Sequence, residues 1–284
     1  MKIRVGITCV GSGIGQSVAS SCNLSALPLH TVGFDSNPFA FGAFECDEQA
    51  VTPPIKDVAY VETLLALARE HRLDILIPGL DTELIPLAAN AERFRAIGTE
   101  VLVAEEAVIR KCRDKYEFFN ELNREFPAFA RSYRKEEAEK GIEIGELRFP
   151  LIAKPRSGSA SEGILLLEEY EQLARIPEGS IVQRILYPKK SDPGYAEYLE
   201  GIRERRVVQV SELSVQYLIG GTGRVLGRCA TVNRLKSGVP VEIIPFEDSR
   251  VYEALDPVIH LLTAFGLRGP MNIQGRMTDE GPAF

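Results

Sequence analysis

The sequence predicts two architectures in succession: an α/β front half on an open, doubly wound parallel sheet, then an α+β back half. Two observations carry this prediction. Over the first hundred residues, short apolar runs rich in β-branched residues alternate with segments of helical period, the pattern of strands covered by helices on both faces. From Ser211 onward, long strand-like segments follow one another through the glycine turn Gly220 to Gly223, as in an antiparallel sheet.

Taken in order, "IRVGITCV" reads as a buried parallel strand bounded by Gly11, and "GIGQSVASSC" as the helix that follows. "HTVGFD" is a second strand and "QAVTPP" a short third, stopped by Pro53 and Pro54. In "VAYVETLLALAREHRL" the residues Val61, Leu64, Leu65 and Ala68 share one helical face. "DILIPGL" is the fourth strand, "ELIPLAANAERFRAIG" a helix ended by Gly98, and "TEVLVA" the fifth strand. The helix "EEAVIRKCRDKYEFFNELNREF" follows, then a polar connection, "RSYRKEEAEKGIEIG". "FPLIAKP" is a strand, "RSGSASEG" a loop, "ILLLE" a strand, "EYEQLARI" a short helix and "SIVQRIL" a strand. "SELSVQYLI" and "RVLGRCATVNRL" pair around the glycine turn, "RVYEALDPVIHLLTAFGL" is a long helix, and "GPMNIQGRMT" a last strand.

Composition narrows the function classes. The 284 residues carry a net charge of −7, a poor match to nucleic-acid binding, which needs a basic face. A local cationic cluster inside such a chain can still bind phosphate. The five cysteines are scattered, odd in number and contain no CxxC, which predicts reduced, buried thiols and a cytoplasmic setting. No apolar run approaches the roughly 20 residues that a membrane-spanning helix needs.

Five stretches are candidates for chemistry. "GSGIGQ" places Gly11, Gly13 and Gly15 after a strand, with Asp35 closing the next strand. That spacing suits either a dinucleotide turn, and so a nicotinamide oxidoreductase, or tight strand-to-helix packing. "FPLIAKPRSGSASEGILLLE" sets Lys154 at a strand end before a loop of small residues, whose backbone N–H groups can curl around an anion. The alternative is a solvated hairpin with a chance lysine. Lys115 in "RDKYEFF" reads alone as a solvated helix start. "IVQRIL" offers either backbone groups to an adenine edge or a plain core strand. Glu212 in "SELSVQYL" is either a ribose acceptor or a surface carboxylate.

In this order, "RDKYEFFNEL", "FPLIAKPRSGSASEGI", "IVQRIL", "SELSVQYL" and "GPMNIQGRMTDEGPAF" resemble the nucleotide-binding core of the ATP-grasp superfamily. The nearest likeness is to the large chain of carbamoyl-phosphate synthase and related carboxylate–amine ligases. "VGITCVGSGIGQSV", "VGFDSNPFAFGA" and "LDILIPGLDTELIPLA" resemble the Rossmann-like domain that precedes this core. The resemblance implies a pre-ATP-grasp domain over 1–108, a lid subdomain over 109–182 and a C-terminal subdomain over 183–284. It implies ATP and Mg²⁺ as cofactors and a small-molecule carboxylate as substrate, activated as an acyl phosphate for attack by an amine, with release of ADP. It also implies residue roles. Lys115 and Lys154 contact phosphates. Arg156, Ser157, Gly158, Ser159, Ala160, Ser161 and Gly163 form the loop over them. Gln183, Arg184 and Leu186 form the hinge beside adenine. Glu212 reaches the ribose, Arg234 contacts phosphate or acyl phosphate, Gln274 ligates magnesium and Glu83 touches substrate.

The sequence departs from the family in three ways. The Glu-x-Asn-Pro-Arg segment expected after "NIQGRMTDEGP" does not occur before Phe284, Gln216 stands where an acid is common, and "YPKKSDPGYAEYLEGIRERRVVQV" separates hinge from ribose glutamate. The first departure leaves the ATP-grasp domain incomplete. It favours two further expectations: a non-catalytic nucleotide-binding relative or fragment, and an exposed apolar sheet edge at the C-terminus that pairs with a second copy or a partner chain. The inserted stretch reads as a substrate-side lid, a partner surface or a solvated excursion.

Overall fold

Strand order in the front of the molecule is β3-β2-β1-β4-β5, all parallel. The strands are β1 (Ile3–Ile7), β2 (Leu29–Asp35), β3 (Glu48–Val51), β4 (Ile75–Ile77) and β5 (Glu100–Val101). The computed structural model describes residues 2–158, 163–236 and 238–284 and divides into two units, Met1–Ile109 and Arg110–Phe284.

In the first unit, helices α1 (Gly13–Leu24) and α2 (Tyr60–Glu70) flank the sheet. Leu64, Leu65 and Ala68 of α2 join Val32, Phe34, Leu76 and Phe94 in one apolar core, and Val5, Ile7, Val10 and Ala19 form a second. The helix expected across 83–98 is two short ones, α3 (Leu84–Ala89) and α4 (Ala91–Arg95). They meet at Asn90, whose side-chain nitrogen bonds the Pro86 carbonyl at 2.9 Å. The glycine turn is packed tightly: a Cβ on Gly15 would sit 2.5 Å from the Cys9 carbonyl oxygen. Asp35 is committed to this turn, accepting the Gly11 and Asn37 backbone N–H groups at 2.9 Å each.

The second unit holds α5 from Arg110 onward (α5 is Glu106–Arg113), then α6 (Lys115–Glu125), α7 (Lys135–Glu143), α8 (Tyr195–Arg203) and α9 (Ser249–Ala264). A three-stranded antiparallel sheet, β7-β6-β8, is built from β6 (Leu151–Pro155), β7 (Leu165–Leu167) and β8 (Ser180–Arg184). A five-stranded antiparallel sheet runs β11-β10-β9-β12-β13, from β9 (Glu212–Ile219), β10 (Val225–Lys236), β11 (Val239–Phe246), β12 (Gly269–Thr278) and β13 (Gly281–Ala283).

Four local expectations change here. The single helix expected over 105–126 breaks at Asp114, which leaves helical geometry to cap α6 and accepts the Tyr116 and Glu117 N–H groups at 3.1 Å. The polar connection over 131–145 contains α7. Its small residues Ala138 and Gly141 are the buried ones, so no large apolar stripe marks it. Strand β11 was not foreseen. The fourth change concerns the C-terminal edge. That edge of the large sheet is covered, because Phe284 N–H donates to the Ala128 carbonyl at 2.8 Å and Ala130 N–H donates to the Phe284 carbonyl at 2.6 Å. The Phe284 ring is 4% exposed and lies 5.6 Å from the Phe129 ring. The exposed apolar edge is β11 instead, where Val239, Val241, Ile243 and Ile244 stand open to solvent. Pro240 and Pro245 interrupt its row of backbone donors, a device that discourages pairing with another strand.

Candidate active site in the C-terminal unit

Period-two alternation gives the large sheet two unlike faces. Leu213, Val215, Tyr217 and Ile219 of β9 are buried on one, the side of α9, where the Tyr217 hydroxyl bonds Asp256 at 2.8 Å. Glu212, Ser214 and Gln216 alternate with them onto the other. Register places Gln274 opposite Ser214 and Asn233 opposite Glu212, so this second face is polar.

A cavity of about 230 Å³ opens over that face, bounded on its other side by the three-stranded sheet. Its wall includes Lys115, Lys154, Ser157, Gly158, Gln183, Arg184, Leu186, Glu212 and Gln274, gathered from five separate stretches of the sequence. Lys154 lies in β6 and faces the cavity. Its ammonium has no hydrogen-bond partner among the described residues and sits 6.0 Å from the centre of the Phe119 ring. Burial pushes its pKa down to about 8; the charge of Lys115 pushes the same way, and Glu212 opposes both. Lys115 donates to the Gly158 carbonyl at 2.9 Å. That carbonyl is presented by a backbone at φ +127°, a conformation that L side chains rarely adopt.

The hinge residues divide their labour. The Gln183 side chain points into the fold, donating to the Ser132 hydroxyl at 2.8 Å, and the Arg184 guanidinium bonds the Glu146 carbonyl at 2.6 Å. The strand ladder ends at the Leu151–Arg184 pair. Ile185 and Leu186 lie beyond it, at the cavity wall.

Other expected residues are placed elsewhere. Arg156 turns away to grip the α6 cap, with Nε 2.7 Å from Asp114 Oδ1 and Nη2 3.0 Å from Glu117 Oε1. It holds the Asp114 carboxyl below the usual carboxylate range. Arg234 is outside the cavity wall, locked in a two-pronged pair with Glu197 of α8 at 2.7 and 2.9 Å. Gly163, at φ +72°, packs against Pro155. Ser159, Ala160 and Ser161 lie outside the described residues. Glu83 belongs to the first unit and is 0% exposed. One of its oxygens accepts the Gly79 and Leu80 N–H groups at 2.8 and 2.9 Å, and the other the Tyr60 hydroxyl at 2.5 Å.

Sequence reasoning missed Phe119, Tyr198 and Arg276 in the wall. Two of these carry a legible signal. Phe119 lies one helical turn beyond Lys115, and Arg276 lies two strand positions beyond Gln274, hence on the same face. Tyr198 comes from the inserted stretch and has no such marker. Among the described residues no cluster of three or more His, Cys, Asp or Glu is arranged to hold a metal. No helix among them is long and apolar enough to cross a membrane, and all five cysteines are free.

Comparison with known proteins bears on the fold. Residues 16–102 match the family described as PylC-like, N-terminal domain. The biotin carboxylase domain of Hydrogenobacter thermophilus 2-oxoglutarate carboxylase, solved with MgADP, ADP and bicarbonate, superposes with a TM-score of 0.67 at 16% identity. The match covers 99% of this chain and 62% of that domain. Staphylococcus aureus N5-carboxyaminoimidazole synthetase with ADP gives 0.66 at 14% identity, covering 100% of this chain and 71% of that one. The Aspergillus clavatus carboxyaminoimidazole ribonucleotide synthase with ATP gives 0.65 at 13% identity, covering 99% and 68%. No curated protein sequence matches the chain. At these identities the likeness establishes architecture: the chain has the ATP-grasp fold, with a PylC-like stretch in its N-terminal unit.

Proposed function

We propose that the C-terminal unit binds ATP and that the protein is an ADP-forming ligase, activating a small carboxylate as an acyl phosphate for an amine or similar nucleophile. The observation that carries this reading is the meeting of Lys115, Lys154, Glu212, Gln274, Ile185 and Leu186 around one cavity. The half-buried Lys154 ammonium has no partner among the described residues, and a cation partly withdrawn from water is costly unless an anion compensates it. Lys154 and Lys115 suit the triphosphate, the backbone past β8 suits a base edge, and Glu212 suits ribose hydroxyls. The solved relatives that hold ADP, MgADP or ATP support the same choice of ligand. Phosphoryl transfer rests mainly on positioning and charge neutralisation, which such a wall supplies. The finer likeness to the carbamoyl-phosphate synthase large chain, and the phosphate-contact role of Arg234, belong to this proposal. Arg234 reaches an anion only by leaving Glu197.

Magnesium fits this wall poorly as a protein-held ion. Among the described residues the wall offers one side-chain carboxylate, Glu212, already facing Arg276 at 3.5 Å, and otherwise only neutral side-chain oxygens, those of Ser157, Gln183 and Gln274. Mg²⁺ prefers carboxylates, phosphate oxygens and water. The single side-chain carboxylate among the described wall residues favours a second reading, a relative that holds nucleotide without transferring phosphate. A nicotinamide site fits less well, because both Asp35 oxygens are occupied by backbone donors of their own turn.

Calorimetric titration with a non-hydrolysable ATP analogue, with and without Mg²⁺, tests the binding step. Assay of ADP release against a panel of small carboxylates and amines tests the transfer. Binding with ADP release supports the ligase; binding without it supports the second reading; no binding removes both.

A further inference from the structure

The stretch 187–210 between hinge and Glu212 contributes one residue, Tyr198, to the cavity wall. Its helix α8 sends Tyr198 inward, 6% exposed, where it lines the cavity and packs with Ile185 and Val210. The ring is fixed on two sides. Tyr187 meets it edge-on at 6.0 Å between centroids, and the Arg276 guanidinium stacks over it at 4.2 Å. Arg276 is 7% exposed, donates to the Val210 carbonyl at 2.5 Å and faces Glu212 Oε1 at 3.5 Å. The stretch thus supplies both the aromatic face and the carbonyl that aim Arg276 at Glu212. The Tyr198 hydroxyl itself has no hydrogen-bond partner among the described residues, although buried tyrosine hydroxyls normally find one.

We propose that Tyr198 is a specificity-determining residue for the nucleotide, its hydroxyl bonding a ribose hydroxyl on the Glu212 side of the cavity. The inference rests on the ATP reading above. A phenol can donate to, and accept from, a sugar hydroxyl at the same atom. Glu212 accepts only, so the two together read the ribose edge. Arg276 is then a positioning residue, holding Glu212 in place. Burial raises the Tyr198 pKa, so the group stays a neutral donor across the physiological range.

The test is a binding cycle: ATP, 2′-deoxyATP and 3′-deoxyATP titrated into the wild-type chain and into Tyr198→Phe and Tyr198→Ala. The phenylalanine keeps the ring under Arg276 and removes only the hydroxyl. Losing one neutral hydrogen bond weakens binding about fivefold to tenfold. The expected result is that one deoxynucleotide binds wild type more weakly by this factor. Tyr198→Phe should then bind ATP as weakly as wild type binds that deoxynucleotide, and should bind the deoxynucleotide with no further loss. Unchanged discrimination in Tyr198→Phe, with all three ligands weakened equally in Tyr198→Ala, would make Tyr198 a packing residue and overturn the assignment alone. No binding of any of the three by wild type would overturn the ATP reading and this inference with it.

Discussion

Replacing Lys154 by methionine is expected to make the protein more stable and less able to bind nucleotide. Partial burial pushes the pKa of the Lys154 ammonium from the ordinary 10.5 down to about 8. At about 1.4 kcal/mol per unit, that difference costs the folded state about 3 kcal/mol near neutral pH. Between about pH 8 and 10.5 the unfolded chain holds this proton and the folded chain does not, so stability rises with pH through that window and the cost then vanishes. Methionine has similar length and no charge. It forfeits the attraction of the Phe119 ring at 6.0 Å, worth about 0.5–1 kcal/mol. The net expected gain is about 2 kcal/mol near pH 7. Urea unfolding of wild type and Lys154→Met near pH 7 and pH 10 measures it. The gap should be large at the lower pH and close at the higher. A variant no more stable than wild type near pH 7, with a difference constant across the range, would refute the claim that burial of this charge is uncompensated.

Binding should also move a proton. A triphosphate favours the charged form of Lys154, so titration near pH 8.5 should take up protons, read from the heat in buffers of different ionisation enthalpy; equal heats in all buffers contradict this. Tyr60→Phe leaves the buried Glu83 carboxylate one donor short and should cost about 1–3 kcal/mol in urea unfolding, and an unshifted midpoint would show that water or rearrangement replaces it. Asp114→Asn removes the α6 cap charge and the Arg156 pair. Because that pair is partly exposed and screened, the expected loss is only about 1 kcal/mol. The Asp114 carboxyl is depressed in the fold, so its contribution is present at neutral pH and disappears in acid as the pH falls through its folded value; a difference from wild type that persists in strong acid contradicts this.

The sequence made the cavity legible wherever chemistry and periodicity coincide. Lys154 stands at a strand end before small residues, and Glu212 begins a run that alternates. Both readings need only local pattern, and both residues reach the wall. Arg156 and Glu83 show the limit. Each is the right residue type, but a nearer partner, Asp114 for one and the Gly79 turn for the other, satisfies it first. Such pairings join positions 42 and 4 residues apart, and only the first depends on tertiary contact. Helices α7 and α8 escaped because propensity was masked by charge: α8 turns one face carrying Tyr198 and Gly201 inward, too narrow for a helical stripe to show. Strand β11 escaped because Pro240 and Pro245 argue against a strand anywhere except an edge, where it lies.

The polar face of the large sheet depends on one close approach that a single methyl group can test. Gly275 lines the cavity between Gln274 and Arg276, and its register partner is Leu213, beside Glu212. A Cβ built there would clash with the Ala283 carbonyl oxygen and stand 2.7 Å from Phe284 Cδ1. One obstacle is backbone, so relief requires moving β13 or twisting β12. Twisting β12 rotates Gln274 and Arg276 together, and Arg276 carries Glu212 with it. Gly275→Ala should therefore cost about 1–3 kcal/mol of stability, as overpacking does. It should also weaken nucleotide binding, although alanine adds nothing that touches the charges. Gly227→Ala on β10 is the control, since a Cβ there meets nothing within 4 Å. If Gly275→Ala loses stability but binds ATP as wild type does, β13 has yielded alone. Arg276 and Glu212 would then be held independently of the β12–β13 contact.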